Sequence, residues 1–250
     1  MNTVSQVAAY IGAYYGGTGR RGIYFDWTFL LLIAGAIISM IASLAMRSAT
    51  AKYETVRASS GLTGAQAAQV ILERAGVRGV QIRPIQGHLT DHYDPRTKVV
   101  NLAEESFNKT SLTGIGVAAH ECGHAIQDAE GYAPLRIRSS LVPVVNIGTN
   151  FSLPLFFIGI ILSFQPLLTI GIVLFSLAVL FQLVTLPVEI DASRRAMKLL
   201  SSTGLLREEE TQGARKVLTA AAMTYVAALL TSVLQLLRLI LIARGTSRDD

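Results

Sequence analysis

Four long apolar stretches, at 27–46, 141–164, 167–186 and 220–241, divide the chain; the first three lack charge and the fourth carries only Arg238. Each reaches the roughly 20 residues needed to cross a hydrocarbon core, so four transmembrane helices are expected. Gln165-Pro166 between the second and third leaves room for a tight hairpin only. Arg238 lies near the end of its span, where a long side chain can snorkel to the interface. The polar residues fall mainly into two blocks, 47–140 and 188–216. In the first block, 62–76 has helical periodicity, with Thr63 as N-cap and Gly76 as terminator. Residues 80–85 and 98–102 are strand-like, and 87–96 between them is a loop by its Gly and Asp-Pro signals. Ser111 is placed to cap a further helix that ends near Gly131. The fold class expected is a mainly α membrane protein with about four transmembrane helices. A small α+β region lies between the first and the second.

Composition agrees with that pattern. The chain is 51% hydrophobic and 16% charged, with mean hydropathy +0.45, too apolar for an ordinary soluble domain. A net charge of +5 comes with no basic run or aromatic platform for nucleic acid, so membrane topology accounts for it better. Residues 1–22 lack the features of a cleaved signal peptide, and Tyr10, Tyr14, Tyr15, Tyr24 and Trp27 suggest a segment lying at the bilayer interface. Arg47, Lys52, Arg57, Arg136, Arg138, Arg194, Arg195, Lys198, Arg215 and Lys216 fall on the side of the two polar blocks. The other side has only Arg20, Arg21, Arg244 and Arg248. Positive residues favour the cytoplasm, so the polar blocks are expected to face it from the cell membrane. Cys122 is the only cysteine, which rules out an intramolecular disulfide and a Cys-based zinc finger.

The chemistry concentrates at His120-Glu121-Cys122-Gly123-His124, an H-E-x-x-H on a predicted helix. Four-residue spacing puts both imidazoles on one face, one turn apart, where they can share a zinc ion, while Glu121 can serve a bound water as general base. With 4 His in 250 residues, such a motif arises by chance in roughly one chain in a hundred or fewer. Cys122, two residues from His120, points to another helix face and is a small filler rather than a fourth ligand. A catalytic zinc needs a third protein ligand. The metzincin extension is absent, with Gln127 and Glu130 at the later positions. Asp128 and Glu130 sit on the same helix, where closing the site is awkward. Where the third span leaves the bilayer, Pro187 should kink or restart the helix, and Glu189 and Asp191 follow. Carboxylates there are costly unless paired or bound to metal. Two residues apart, they cannot both face one ion. Glu189 is therefore assigned to zinc, and Asp191 to orienting a histidine or pairing with Arg195 at i,i+4.

Three separated runs, 87–95 with its two histidines, 118–127 around H-E-x-x-H and 185–193 around Glu189, resemble in order the YugP-type family of neutral zinc metallopeptidases of bacterial membranes. The likeness runs from about the first span to the fourth. Cys122 departs from the aliphatic residue more usual there. More distantly the arrangement resembles membrane gluzincins of the HtpX and CAAX-protease type. The resemblance supports zinc peptidase chemistry on a zincin-like region far better than it supports any substrate.

The chain then divides into an interfacial segment at 1–22, a span at 23–46 and a zincin-like catalytic region at 47–140. A two-span hairpin at 141–187, a polar segment with the third ligand at 188–216, a fourth span at 217–243 and a tail at 244–250 complete it. The function expected is a membrane-embedded endopeptidase of membrane or misfolded proteins with one Zn2+ per chain, held by His120, His124 and Glu189. Glu121 takes the proton of the zinc-activated water. His88, His92, Tyr93, Tyr132, Arg136 and Arg138 are candidates to face the oxyanion, and the strand at 98–102 could pair with an extended substrate by edge addition. The partners are a protein or peptide substrate, membrane-associated, and the lipid bilayer, with no nucleic acid. A site-2-type protease is disfavoured because charged residues crowd the motif helix and no Leu-Asp-Gly partner exists. The rival from another class is a non-catalytic zinc-stabilised scaffold or sensor, against which the intact Glu121 argues.

Overall fold

The computed structural model describes residues 27–246. The interfacial tyrosines expected within 1–26 and the last residues of the tail, 247–250, lie outside the described residues. The elements in chain order are α1 (Phe29–Glu54), α2 (Gly64–Arg74), β1 (Gln81–Ile85), β2 (His92–Asp94), β3 (Val99–Ala103), α3 (Glu104–Asn108), α4 (Leu112–Ala129), α5 (Ala133–Ile161), α6 (Gln165–Ser202) and α7 (Glu208–Thr246). α1, α5, α6 and α7 are long and apolar enough to cross a membrane. Along α1, Leu30, Ile33, Ile37, Met40, Ile41 and Leu44 are exposed, as lipid-facing side chains are.

The spans approach one another through small and hydroxylated residues, which suits a setting where apolar contact alone gives no preference for protein over lipid. A Cβ on Gly171 would meet Phe156 Cβ and Ser152 O at 2.8 Å, and one on Gly159 would meet the Leu168 backbone at 2.8 Å. That fixes α5 against α6. Between α1 and α7, Thr231 Oγ1 donates to Gly35 O at 3.1 Å and lies 3.0 Å from Ser39 Oγ.

Several predicted details hold. Thr63 caps α2 in a capping box with Gln66, and Gly76 follows the helix at φ +68°. Ser111 Oγ accepts from Gly114 N at the start of α4, and Gly131, just past its end, has φ +68°. Others differ. The 87–96 loop contains β2, a three-residue strand too short to give a readable alternation. The α5–α6 turn is made by 162–164, not by Gln165-Pro166. Pro166 sits in the first turn of α6, where a missing N–H costs nothing. Pro187 neither ends nor restarts α6, which runs unbroken to Ser202. Val188, Glu189 and Ala192, just beyond it, are buried, and that packing holds the helix through the proline.

The sheet has the order β1-β3-β2, with β1 parallel and β2 antiparallel to β3. β3 is therefore the central strand, both its edges are taken, and the expected edge addition at 98–102 has no free edge to use. The outer strands are β1 and β2. The polar blocks share one core, with Ile71, Val100, Leu102, Ile115 and Ala119 packed in a cluster with Ala196, Leu200, Leu206 and Leu218. The two blocks, separate in sequence, thus fold as one unit, because α6 and α7 project past their apolar stretches into it.

Candidate metal centre

α4 lies under this unit with nearly its whole length buried, from Leu112 to Gln127. One face carries Ala118, Ala119 and Cys122 into the core. Cys122 Sγ is directed at Ala68 O of α2, 3.6 Å away, so it turns from the histidines, and burial pushes its thiol pKa up. The other face presents His120 and His124 to α6. The two helices can approach closely because Gly123 has no side chain: a Cβ there would meet Ala192 O at 2.5 Å. Replacing Gly123 by Ala should push α4 off α6 and separate the histidines from Glu189. We expect a destabilisation of about 1–3 kcal/mol, read as a lower thermal midpoint, together with loss of retained zinc on metal analysis. An unchanged midpoint with full zinc would contradict the close approach.

Glu189 of α6 is 2% exposed. Its Oε2 lies 3.1 Å from His120 Nε2 and 3.5 Å from His124 Nε2, and the three donor atoms form one group within 4.8 Å. Ligands at about 2.0–2.2 Å around a tetrahedral ion stand about 3.3–3.6 Å apart, so the two spacings from the Glu189 oxygen to the imidazole nitrogens suit zinc. The far ring nitrogens are also held. His120 Nδ1 faces Ser193 Oγ at 3.1 Å, and His124 Nδ1 faces Gln127 Oε1 at 3.0 Å. Gln127 donates its amide to Val188 O and Asp191 Oδ2, both at 2.9 Å, which leaves only its oxygen for His124. Asp191 in turn accepts from Arg195 Nε at 2.6 Å, and Arg195 reaches Glu130 Oε2 at 2.5 Å. Asp191 thus touches neither histidine, but steadies the amide that orients His124. Its pairing with Arg195 is the expected one.

Glu121 points to the other side of the group. Its Oε2 accepts from the Tyr93 backbone N–H at 2.9 Å. Burial raises its pKa to about 7, against the lowering effect of nearby His120 and of that N–H, with Glu189 and Asp91 adding to the rise. A cavity of about 250 Å3 opens here, lined by His120, Glu121, His124 and Glu189 together with Asp91, Tyr93, Arg138 and Tyr225. Arg138 Nη1 lies 3.0 Å from the other oxygen of Glu189.

The remaining candidates separate cleanly. His88 is exposed and pairs with Glu105 at 2.8 Å, apart from the cavity. His92 lines the cavity, but Nδ1 donates to Thr90 O and Nε2 faces Asn101 Nδ2 at 3.2 Å, so its ring holds the loop together. Tyr93 lines it as well, yet its hydroxyl donates to Asp128 at 2.6 Å. Burial and that carboxylate push the phenol pKa up. Asp128, which also binds Lys98, and Glu130 are thereby engaged elsewhere. Tyr132 stacks under Arg195, and Arg136 binds Gly131 O. Gln127, Ser193, Asp91 and Tyr225 were not singled out from sequence. Asp91 accepts from Ala103 N, while its Oδ2 is buried without a partner among the described residues. Gln127, one turn after His124 at i+3, carried the one available signal.

The family described as "Putative neutral zinc metallopeptidase" matches the chain over residues 28–244. The chain is 46% identical over 212 residues to "Putative membrane protease YugP" of Bacillus subtilis (strain 168), a span of 85% of this chain and 94% of that protein. No solved structure matches the chain significantly.

Proposed function

The chain belongs to the family of neutral zinc metallopeptidases, and from that premise we propose a zinc-dependent endopeptidase that cuts protein substrates beside the membrane. The observation that carries this reading is Glu189, delivered by a membrane helix to within 3.1 and 3.5 Å of the two motif histidines. Zinc, held by His120, His124 and Glu189, would supply a Lewis acid that polarises a peptide carbonyl and a water reactive near neutral pH. Glu121 accepts that water's proton as its oxygen bonds to the carbonyl carbon, and then delivers the proton to the leaving amine nitrogen. The Tyr93 N–H fixes the Glu121 carboxylate in the orientation this needs. Ser193 and Gln127 keep the Nε2 atoms of the two histidines turned inward. Arg138, on the cavity wall beside Glu189, is the group best placed to meet negative charge developing on the carbonyl oxygen. Among the candidates read from sequence, His88 is thereby set aside.

The cavity wall includes Val142 at the start of the second apolar stretch and Tyr225 early in the fourth. That supports chemistry where the spans meet water, and with it substrates that are themselves membrane-associated. The test is proteolysis of a panel of membrane proteins in vesicles by the purified protein, with and without a chelator and beside the Glu121→Gln variant. No cleavage of any member by the zinc-loaded wild type would overturn the proposal and favour a zinc-stabilised scaffold.

We place the site on the cytoplasmic face, from the bias of Lys and Arg towards the side of the polar blocks. Compartment-sensitive reporters fused after Ser59 and at the C-terminus should report opposite sides, with Ser59 inside. An external Ser59 would reverse the orientation and leave the zinc chemistry untouched.

A further inference from the structure

A second cavity, of about 750 Å3, lies between α6 and α7, lined by Ile190, Arg194 and Lys198 on one helix and Arg215, Leu218 and Ala222 on the other. No carboxylate lines it. None of the three cationic side chains forms an ion pair or hydrogen bond among the described residues. Asp191, the nearest acid on α6, accepts its hydrogen bonds from Gln127 and Arg195 and attracts Arg194 only through space. Arg194 and Lys198 are an i,i+4 pair of like charge, an arrangement that is mildly destabilising unless an anion sits between the charges. Arg215 of α7 joins them from the facing helix.

The two ends of the cavity differ. Ile190 lies one turn past the third apolar stretch, and Ala222 lies inside the fourth, so this end opens at the hydrocarbon boundary. Along α6, Arg194 stands about 6 Å and Lys198 about 12 Å beyond Ile190. Arg215 stands about 10 Å beyond Ala222 on α7. All three can therefore reach the layer of headgroup phosphates just outside the hydrocarbon core. A soluble anion would satisfy the cations and leave the apolar end empty. An acidic peptide would do the same. A ligand with a phosphate joined to acyl chains fills both. We propose that this groove binds one anionic phospholipid, its headgroup phosphate between Arg194, Lys198 and Arg215 and its chains against Ile190, Leu218 and Ala222.

The experiment is native mass spectrometry of the purified full chain, released from detergent after incubation with mixtures of dioleoyl-phosphatidylglycerol and dioleoyl-phosphatidylcholine. The wild type should retain one phosphatidylglycerol in preference to phosphatidylcholine. The Arg194→Gln, Lys198→Gln, Arg215→Gln triple variant should bind phosphatidylglycerol on the order of a hundredfold more weakly, each cation near an anionic surface counting for about a factor of five. The charge-keeping Arg194→Lys, Arg215→Lys variant should retain it. So should Arg47→Gln, Lys52→Gln, Arg57→Gln, which removes the same charge elsewhere. Equal retention of both lipids, undiminished binding by the triple variant, or an equal loss in the control at 47, 52 and 57 would overturn the proposal. Displacement of the lipid by millimolar inorganic phosphate or by hexaglutamate would overturn it too, in favour of a free-anion or a peptide site.

Discussion

Glu121→Gln should leave the protein folded and zinc-loaded while lowering kcat by about 10²–10⁴-fold, the usual worth of a positioned general base. The substitution keeps the side chain's size. Its amide oxygen can still accept the Tyr93 N–H that Glu121 Oε2 accepts at 2.9 Å, so the local geometry has no reason to change. What disappears is basicity. A carboxylate whose pKa is raised to about 7 by burial is matched to exchanging a proton near neutrality, and an amide has no proton affinity there. Zinc content measured alongside peptide cleavage separates the two effects. A variant that keeps zinc and near-full activity would remove Glu121 from the mechanism. One that loses zinc as well would mean that Glu121 holds the site together rather than works in it.

Glu189→Gln should empty the site. The histidines alone leave zinc one protein ligand short, and Glu189 Oε2 stands between both Nε2 atoms. The neutral amide offers a weaker donor and also removes the charge opposite Arg138. The loss of zinc affinity should exceed the roughly 10–100-fold expected for Asp191→Asn, which acts only through Gln127 on His124. Equilibrium dialysis against buffered zinc ranks the two variants. If Asp191→Asn empties the site and Glu189→Gln leaves it filled, the two carboxylates exchange roles. If neither lowers affinity, the ligand set proposed here is wrong. Asp128 and Glu130 could not replace them without first giving up Tyr93, Lys98 and Arg195.

Much of this protein is legible along the chain because the signals are local. A span is announced by its own apolar length, a cap by Thr63 or Ser111, and a helix end by a glycine such as Gly76 or Gly131 with positive φ. H-E-x-x-H is readable for the same reason, since helical pitch alone brings His120 and His124 onto one face. That Glu189 and Asp191 cannot both face one ion also follows from local geometry, because α6 is regular and residues two apart diverge on it. Which of them turns to the histidines depends on how α6 packs on α4.

What the chain could not announce depends on neighbours far away in sequence. β2 is three residues long and exists because β3 offers it an edge. For the same reason β3 itself could not be known as a central strand from its own pattern. Pro187 reads locally as a break, but packing of α6 against α4 carries the helix through it. His88 and His92 are neighbours in one loop, and only the fold turns the first outward to Glu105 and the second to the cavity wall. Ser193 acquires meaning only when α4 and α6 meet across Gly123 and bring it to His120, while Gln127, already beside His124 at i+3, gains from α6 the two acceptors that fix its amide. Sequence by itself thus determined the spans, the histidine pair and the chemistry they favour, all properties set within a few turns of one helix. The tertiary structure decided which side chains hold that pair, and which merely stand near it, because Ser193 lies 73 positions from His120, and Val188, which fixes the Gln127 amide, lies 61 positions from Gln127.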